Sequence, residues 1–184
     1  MNNIRIKKVY WQLASLCAPT FLRVKPSNLL MLPPEDAGIL KVCTQNEGIR
    51  LEKLHSGNQR EMWLLYRKEE LEQILNKKEN ADFFREMGYG DLSLAQVFEH
   101  MKKRLFSHKN RAEEYPHELG ILLGYPVEDV RGFIRNHGRN YLCSGYWKVY
   151  QDEENAKKLF AMYDAARKQM MLTYTDGNPA AVFA

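Results

Sequence analysis

The sequence predicts a single α+β domain, in which a small antiparallel sheet is covered by helices and the carboxy-terminal half is mostly helical. Three observations predict this class. Two apolar runs at about 49–66 are joined like a hairpin, a short apolar run lies at 29–32, and the second half shows apolar residues at helical spacing. The expected domain spans 1–174, with a carboxy-terminal tail at 175–184.

Composition supports a globular protein. Of 184 residues, 45% are hydrophobic and 27% are charged, and a chain of this length can bury a core without disulfides or metals. No apolar run approaches the roughly 20 residues that span a bilayer, and the amino terminus lacks an apolar signal core. The three cysteines are far apart and form no C-x-x-C pair. We therefore expect a cytoplasmic protein with no membrane partner and no metal motif.

The first elements follow from periodicity and proline placement. Apolar residues at helical spacing predict an amphipathic helix near 4–17, which Pro19 helps to end. The apolar run 29–32 is closed by two prolines, which favours a buried strand. A helix over 35–47 follows, and Gly48 stops it.

A hairpin comes next. Ile49–His55 and Met62–Tyr66 are strand-like runs of large apolar residues. Ser56-Gly57-Asn58 joins them, and its glycine and asparagine tolerate the positive φ of a tight turn. The sheet is therefore expected to be antiparallel.

Helical patterns dominate after Arg67. Apolar residues predict short helices near 71–75 and 80–87, and the pair Ser93 and Gln96 is typical of a capping box before a longer helix. The last helix is expected over about 153–171, with Asp152 as its N-cap. A strand at 147–150 is left open.

The segment Tyr115–Tyr150 carries the most information. Two prolines suit first helical positions and two glycines suit positions just past helix ends. These residues are Pro116, Pro126, Gly124 and Gly138. They predict helices at about 116–123 and 126–136, and small Gly120 would let them cross closely, as in a helix-turn-helix unit.

The same residues carry a family resemblance. PHELGILLGYPVEDVRGFI and the later GYWKVY resemble the signature of an uncharacterised family of anaerobic Gram-positive bacteria, catalogued as domain of unknown function 3793. The amino-terminal Cys17-Ala18-Pro19-Thr20, the following Lys25-Pro26-Ser27 and the run Glu61–Arg67 are similar to it as well. The resemblance implies a bacterial, cytoplasmic protein. It implies no activity, cofactor or catalytic residue.

A candidate ligand site lies in an acid-free stretch between Asp129 and Asp152. Basic and aromatic side chains alternate there, so an anion could be bound by the former while a planar ring stacks on the latter. These residues are Arg131, Arg135, Arg139, Lys148, Tyr146, Trp147 and Tyr150. We expect Arg131 and Lys148 to converge on one anion-accepting pocket, with His117 near its rim and Trp147 or Tyr146 forming a wall. The alternative is a solvated basic face over core aromatics.

Three residues are catalytic candidates. His117 has the side chain of a general acid or base that Glu118 could tune, and Cys17 is a candidate nucleophile. The alternatives are a Glu118 that stabilises a helix start and a Cys17 that is a buried structural thiol. His117-Glu118 is not a zinc motif, because position 121 is Ile121 rather than histidine. Whether any reaction is catalysed, and with what cofactor, stays open.

Two further functions compete with small-molecule binding. In the first, the helix 126–136 enters a DNA major groove, with Arg131 near the bases and basic residues of 102–111 on phosphates. Glu128 and Asp129 in its leading turn oppose this, so nucleic acid is the less favoured partner. The second is a protein-interaction module without a ligand. The leading expectation is binding of an anionic small molecule through 115–150, with oligomeric state unspecified.

Overall fold

A computed structural model describes residues 3–90, 92–109 and 115–175 of the chain. Its contacts form two compact units, one of Met1–Lys68 with Met162–Ala184 and one of Glu69–Ala161. The α+β class, the small antiparallel sheet and the helical second half are confirmed. The boundaries 1–174 stay a prediction, and residues 176–184 of the expected tail lie outside the described residues.

The first unit begins with a long helical segment, as expected. It consists of α1 (Asn3–Gln12), a π-helix (Leu13–Cys17) and α2 (Ala18–Phe21). The segment does not end near Pro19, because this proline occupies the first turn of α2, where its missing N–H costs no helical hydrogen bond.

The sheet of the first unit has three antiparallel strands, β1 (Ser27–Leu32), β2 (Arg50–Ser56) and β3 (Glu61–Tyr66). β3 is central, in the order β1-β3-β2, so both the predicted hairpin and the predicted strand at 29–32 are confirmed. The backbone N–H of Gly57 donates to the carbonyl of Arg60 at 2.9 Å and closes the turn.

A 3-10 turn (Pro34–Asp36) leads into α3 (Ala37–Thr44), which is shorter than the predicted helix over 35–47. Helices and sheet share a core of aliphatic, aromatic and cysteine side chains. Its buried members are Val9, Leu13, Ala14, Cys17, Ala18, Phe21, Leu30, Leu32, Ile39, Leu40, Cys43, Ile49, Trp63, Leu65 and Met170.

The second unit is mainly helical. Its elements are α4 (Lys68–Asn76, entered from the first unit), α5 (Lys78–Glu86), α6 (Leu94–Lys109), α7 (Leu119–Leu122), α8 (Val127–Arg135), β4 (Cys143–Ser144), β5 (Lys148–Val149) and the start of α9 (Glu153–Thr175). The Asp152 carboxylate accepts a hydrogen bond from the N–H of Asn155 at 3.1 Å, which confirms the predicted N-cap. The strand that the sequence left open is β5, paired with β4.

The predicted helical corner is present, although α7 is shorter than 116–123. Gly124 ends α7 with a φ of +80°, a conformation that glycine adopts without steric cost. A Cβ on Gly120 would lie 3.0 Å from the Tyr125 ring and 3.1 Å from a Val130 methyl. The close approach inferred for Gly120 is therefore confirmed.

No helix in the described ranges is long and apolar enough to cross a membrane.

Candidate functional site

An open cavity of about 520 Å³ lies in the second unit, between the end of α5 and one face of α6. This volume lies in the range of small-molecule sites, roughly 300–1,000 Å³. The lining residues are Glu86, Met87, His100, Lys103, Arg104 and Ser107. None of them belongs to the ligand site predicted at 115–150, although Lys103 and Arg104 lie in the basic run 102–111 that the nucleic-acid alternative placed on phosphates.

Four lining residues form a polar stripe on α6. His100, Lys103, Arg104 and Ser107 follow the spacing i, i+3, i+4, i+7, which places them on one face of an α-helix. The stripe is held in place because α6 buries other side chains in the core. These are Leu94, Val97, Phe98, Met101 and Leu105. We refer to the four residues as the α6 stripe.

A buried carboxylate lies behind the α6 stripe. Glu118 is fully buried, and its Oε1 lies 2.8 Å from Nη1 of Arg104 and accepts a hydrogen bond from the Tyr89 hydroxyl at 2.9 Å. The Tyr89 ring in turn stacks on His100, with centroids 4.1 Å apart. Glu118 therefore orients Arg104 directly and supports His100 through Tyr89.

The other oxygen of Glu118, Oε2, has no hydrogen-bond partner among the described residues. Burial raises the pKa of Tyr89, and the neighbouring charge of Glu118 raises it further. Tyr89 is therefore a neutral hydroxyl that donates to the carboxylate at physiological pH. Glu118, predicted as a catalytic candidate or a helix stabiliser, serves here as a buried partner of Arg104.

Hydrogen-bond donors at the cavity outnumber available acceptors. Within the described ranges, neither Lys103 nor Ser107 has a side-chain hydrogen bond or ion pair. The only acid of the lining is Glu86, and both its oxygens are bound by Arg131, at 2.7 and 2.9 Å. The arrangement favours a ligand that accepts hydrogen bonds and carries negative charge.

The expected pocket between Arg131 and Lys148 is not formed by their contacts. Arg131 binds Glu86 with two nitrogens, and its guanidinium lies 4.7 Å from the Phe83 ring centroid. Lys148 donates to the Gly138 carbonyl at 2.7 Å, a different partner. The physical reason is that a carboxylate 45 residues away supplies the anion that the sequence assigned to a ligand.

The Trp147 side chain and the Tyr150 backbone of the expected site are bound by Asp129, a carboxylate to which the sequence assigned no part in that site. Asp129 is buried, and its Oδ2 accepts from Nε1 of Trp147 at 2.7 Å. Its Oδ1 accepts from the backbone N–H groups of Tyr150 at 2.7 Å and Gln151 at 2.9 Å. Trp147 is therefore a buried anchor rather than the exposed wall of a pocket. An acid directly before a donor-rich, acid-free stretch was the available signal.

The remaining predicted site residues contact different neighbours. Tyr146 packs on Phe160 with ring centroids 5.7 Å apart, and the His117 ring lies 5.0 Å from that of Phe133. Arg135 and Arg139 are exposed and make no side-chain ion pair with the described residues. These contacts involve different partners, and a ligand site shared by these residues stays a prediction.

Cys17, the candidate nucleophile, is fully buried in the first unit. Burial raises the pKa of its thiol to about 12, although the nearby Lys25 charge lowers it. The thiol is therefore protonated at neutral pH, whereas a nucleophilic cysteine must be a thiolate. In the part of the chain that is described, no group of three or more His, Cys, Asp or Glu side chains is placed to hold a metal ion.

The nucleic-acid alternative loses its principal contact in this geometry. Arg131, expected near the bases, is bound to Glu86, and Asp129 of the same helix is buried. The alternative stays a prediction.

Comparisons with known proteins agree with the resemblance noted in the sequence. Neither the curated proteins nor the solved structures give a significant match. A family described as "Protein of unknown function (DUF3793)" matches residues 13–183. The chain therefore belongs to this family.

Proposed function

We propose that this chain is a cytoplasmic bacterial protein that binds a small organic anion in the cavity beside the α6 stripe. The observation that carries the proposal is a ligand-sized cavity lined by the hydrogen-bond donors Lys103, Arg104 and Ser107. The one carboxylate of this lining, Glu86, is already bound by Arg131. An anion is the ligand that such a set of donors stabilises.

Charge accounting supports the same conclusion. Arg104 is paired with Glu118 and Glu86 with Arg131, so each pair is close to neutral. Lys103 makes no hydrogen bond or ion pair with a described residue, although its charge also acts on Glu99, which Lys102 already pairs, so it leaves one positive charge at the cavity. The Arg104 guanidinium has further N–H groups beyond the one that faces Glu118, so it can bind an anion while it remains paired.

The lining also fits an organic group attached to the anion. Met87 and the ring of His100 offer apolar surface next to the donors, and His100 is held by its stack on Tyr89. A phosphate or carboxylate alone would fill a small part of about 520 Å³. A ligand that combines an anionic head with a compact apolar or planar body suits the space better.

The experiment is calorimetric titration with phenyl phosphate at low ionic strength. Wild-type protein should bind it, and Lys103→Ala should lose most of the affinity because the uncompensated charge is removed. Lys102→Ala is the matched control, since this neighbour on α6 makes an ion pair with Glu99 and does not line the cavity. Equal losses in the two variants, or no binding by the wild type, would overturn the proposal.

A linked stability measurement gives an independent readout. A ligand that binds only the native state at 100 times its Kd stabilises the protein by about 2.7 kcal/mol. The melting temperature should therefore rise with phenyl phosphate in wild type and in Lys102→Ala, and not in Lys103→Ala. Benzyl alcohol, which keeps the ring and lacks the anion, should give no rise.

A further inference from the structure

Glu86 is an unexpected lining residue for a site that binds anions. Its carboxylate is half exposed at the cavity, where it would repel a negatively charged ligand. The repulsion is offset by Arg131, which reaches from α8 and binds both carboxylate oxygens in a bidentate pair at 2.7 and 2.9 Å.

Two further contacts of Arg131 hold the Glu86–Arg131 pair in place. The Arg131 guanidinium also lies over the Phe83 ring at 4.7 Å, and its Nε is 4.0 Å from Glu128. Hydrogen bonding from Arg131 holds the pKa of Glu86 below its usual range, so the carboxylate stays ionised at neutral pH. Without Arg131, an uncompensated negative charge would face the cavity.

We infer that Arg131 determines the specificity of this cavity for anions indirectly, by neutralising Glu86 rather than by touching the ligand. The inference rests on the proposed function. It gives Arg131 a different part in ligand binding from the direct contact that the sequence suggested. The pair allows an anion to approach, and loss of its arginine shifts the preference of the cavity towards neutral or cationic molecules.

A double-mutant cycle separates the indirect role from direct contact. Calorimetry with phenyl phosphate compares wild type, Arg131→Ala, Glu86→Gln and the double variant. Arg131→Ala should weaken binding roughly twofold to fivefold, the range of half-exposed charge interactions. Adding Glu86→Gln should restore the wild-type Kd, because the repelling charge is gone. If Arg131 touched the ligand, the double variant would remain as weak as Arg131→Ala.

Three controls make the outcome specific. Arg131→Ala with Glu128→Gln should not be restored, because Glu128 does not line the cavity. Arg131→Lys keeps the charge and should retain most of the affinity. The loss in Arg131→Ala should shrink at 1 M salt, where the Debye length falls to about 3 Å.

The outcomes for the two proposals are distinguishable. A wild type that does not bind phenyl phosphate overturns the proposed function and this inference with it. A wild type that binds, together with an unaffected Arg131→Ala or an unrestored double variant, overturns only the inference. Circular dichroism spectra matching the wild type establish that each variant is folded.

Discussion

The buried carboxylate of Asp129 gives the clearest prediction about what holds the segment after α8 in place. It accepts three hydrogen bonds, one from the Trp147 indole and two from the backbone N–H groups of Tyr150 and Gln151. Asp129→Ala removes the shared acceptor and leaves three donors without a partner. We expect a large loss of stability, because buried groups that lose a charged partner are strongly destabilising.

The magnitude follows from these contacts. A hydrogen bond to a charged group contributes about 1.5–3 kcal/mol, and such terms do not add fully when they share one acceptor. We expect Asp129→Ala to cost about 3–5 kcal/mol, similar to breaking a buried ion pair. Asp129→Asn keeps the shape but turns an N–H donor towards one of the three donors, and should cost about 2 kcal/mol.

Glu128→Gln is the matched control. Both acids lie in the first turn of α8, where the helix dipole stabilises a negative charge by about 0.3–1 kcal/mol. Only Asp129 is buried, whereas the Glu128 side chain is 55% exposed. The difference in unfolding free energy between Asp129→Ala and Glu128→Gln therefore separates the contribution of the hydrogen bonds to Asp129 from that of the helix dipole.

Urea unfolding measured by far-UV circular dichroism gives the free energies, and the indole N–H resonance of Trp147 reports the local bond. In a Trp147→Phe background, the cost of Asp129→Ala should fall by the contribution of one hydrogen bond, about 1.5–3 kcal/mol. If Asp129→Ala and Glu128→Gln cost the same, or the indole resonance does not move in Asp129→Asn, the assignment of Asp129 as the anchor is wrong.

Three other measurements test the packing and titration of single groups. Gly132→Ala should destabilise the second unit by about 1–3 kcal/mol, since the added Cβ would lie 2.5 Å from the Tyr150 side chain. An unchanged midpoint of urea unfolding contradicts this expectation. Iodoacetamide at pH 8 should label half-buried Cys143 before buried Cys17, because burial raises the pKa of the Cys17 thiol to about 12. Mass spectrometry that shows Cys17 modified first in folded protein contradicts this order. Burial lowers the pKa of Lys25 to about 8, so below pH 8 the buried charged amine opposes folding. Lys25→Met should therefore increase the free energy of unfolding by at most about 3 kcal/mol below pH 8, and this gain should shrink as pH rises from 8 towards 10.5. A gain that is constant with pH contradicts this expectation.

Local patterns were sufficient for the fold because the elements depend on near neighbours. The hairpin follows from two apolar runs and the turn between them, and the N-cap at Asp152 from a contact three residues away. The π-helix at Leu13–Cys17 was not predictable, since its residues share the apolar spacing of an ordinary helix.

The site depended on contacts that sequence spacing does not show. Glu86 and Arg131 are 45 residues apart, Tyr89 and Glu118 are 29 apart, and Asp129 and Trp147 are 18 apart. Each pair joins two parts of the second unit that are distant in the sequence. The sequence identified Arg131, Trp147 and Glu118 as unusual residues but assigned each of them to a ligand, a pocket wall or catalysis.

Charge can be counted along the chain or in space, and the two counts differ. This explains why the contacts predicted for these residues differ from those in the structure. Along the chain, the acid-free stretch after Asp129 suggests a ligand, because its basic groups have no carboxylate near them in the sequence. In space, Glu86 compensates Arg131, while Lys148 is stabilised by a carbonyl and lies 4.9 Å from the ring centroid of Tyr141. Among the basic residues without an ion pair to a described residue, Lys103 lines the cavity whereas Arg135 and Arg139 do not. This is why we assign the proposed anion to α6, where the sequence suggested only phosphate contacts. A surplus of charge points to a ligand only after the distant partners have been subtracted.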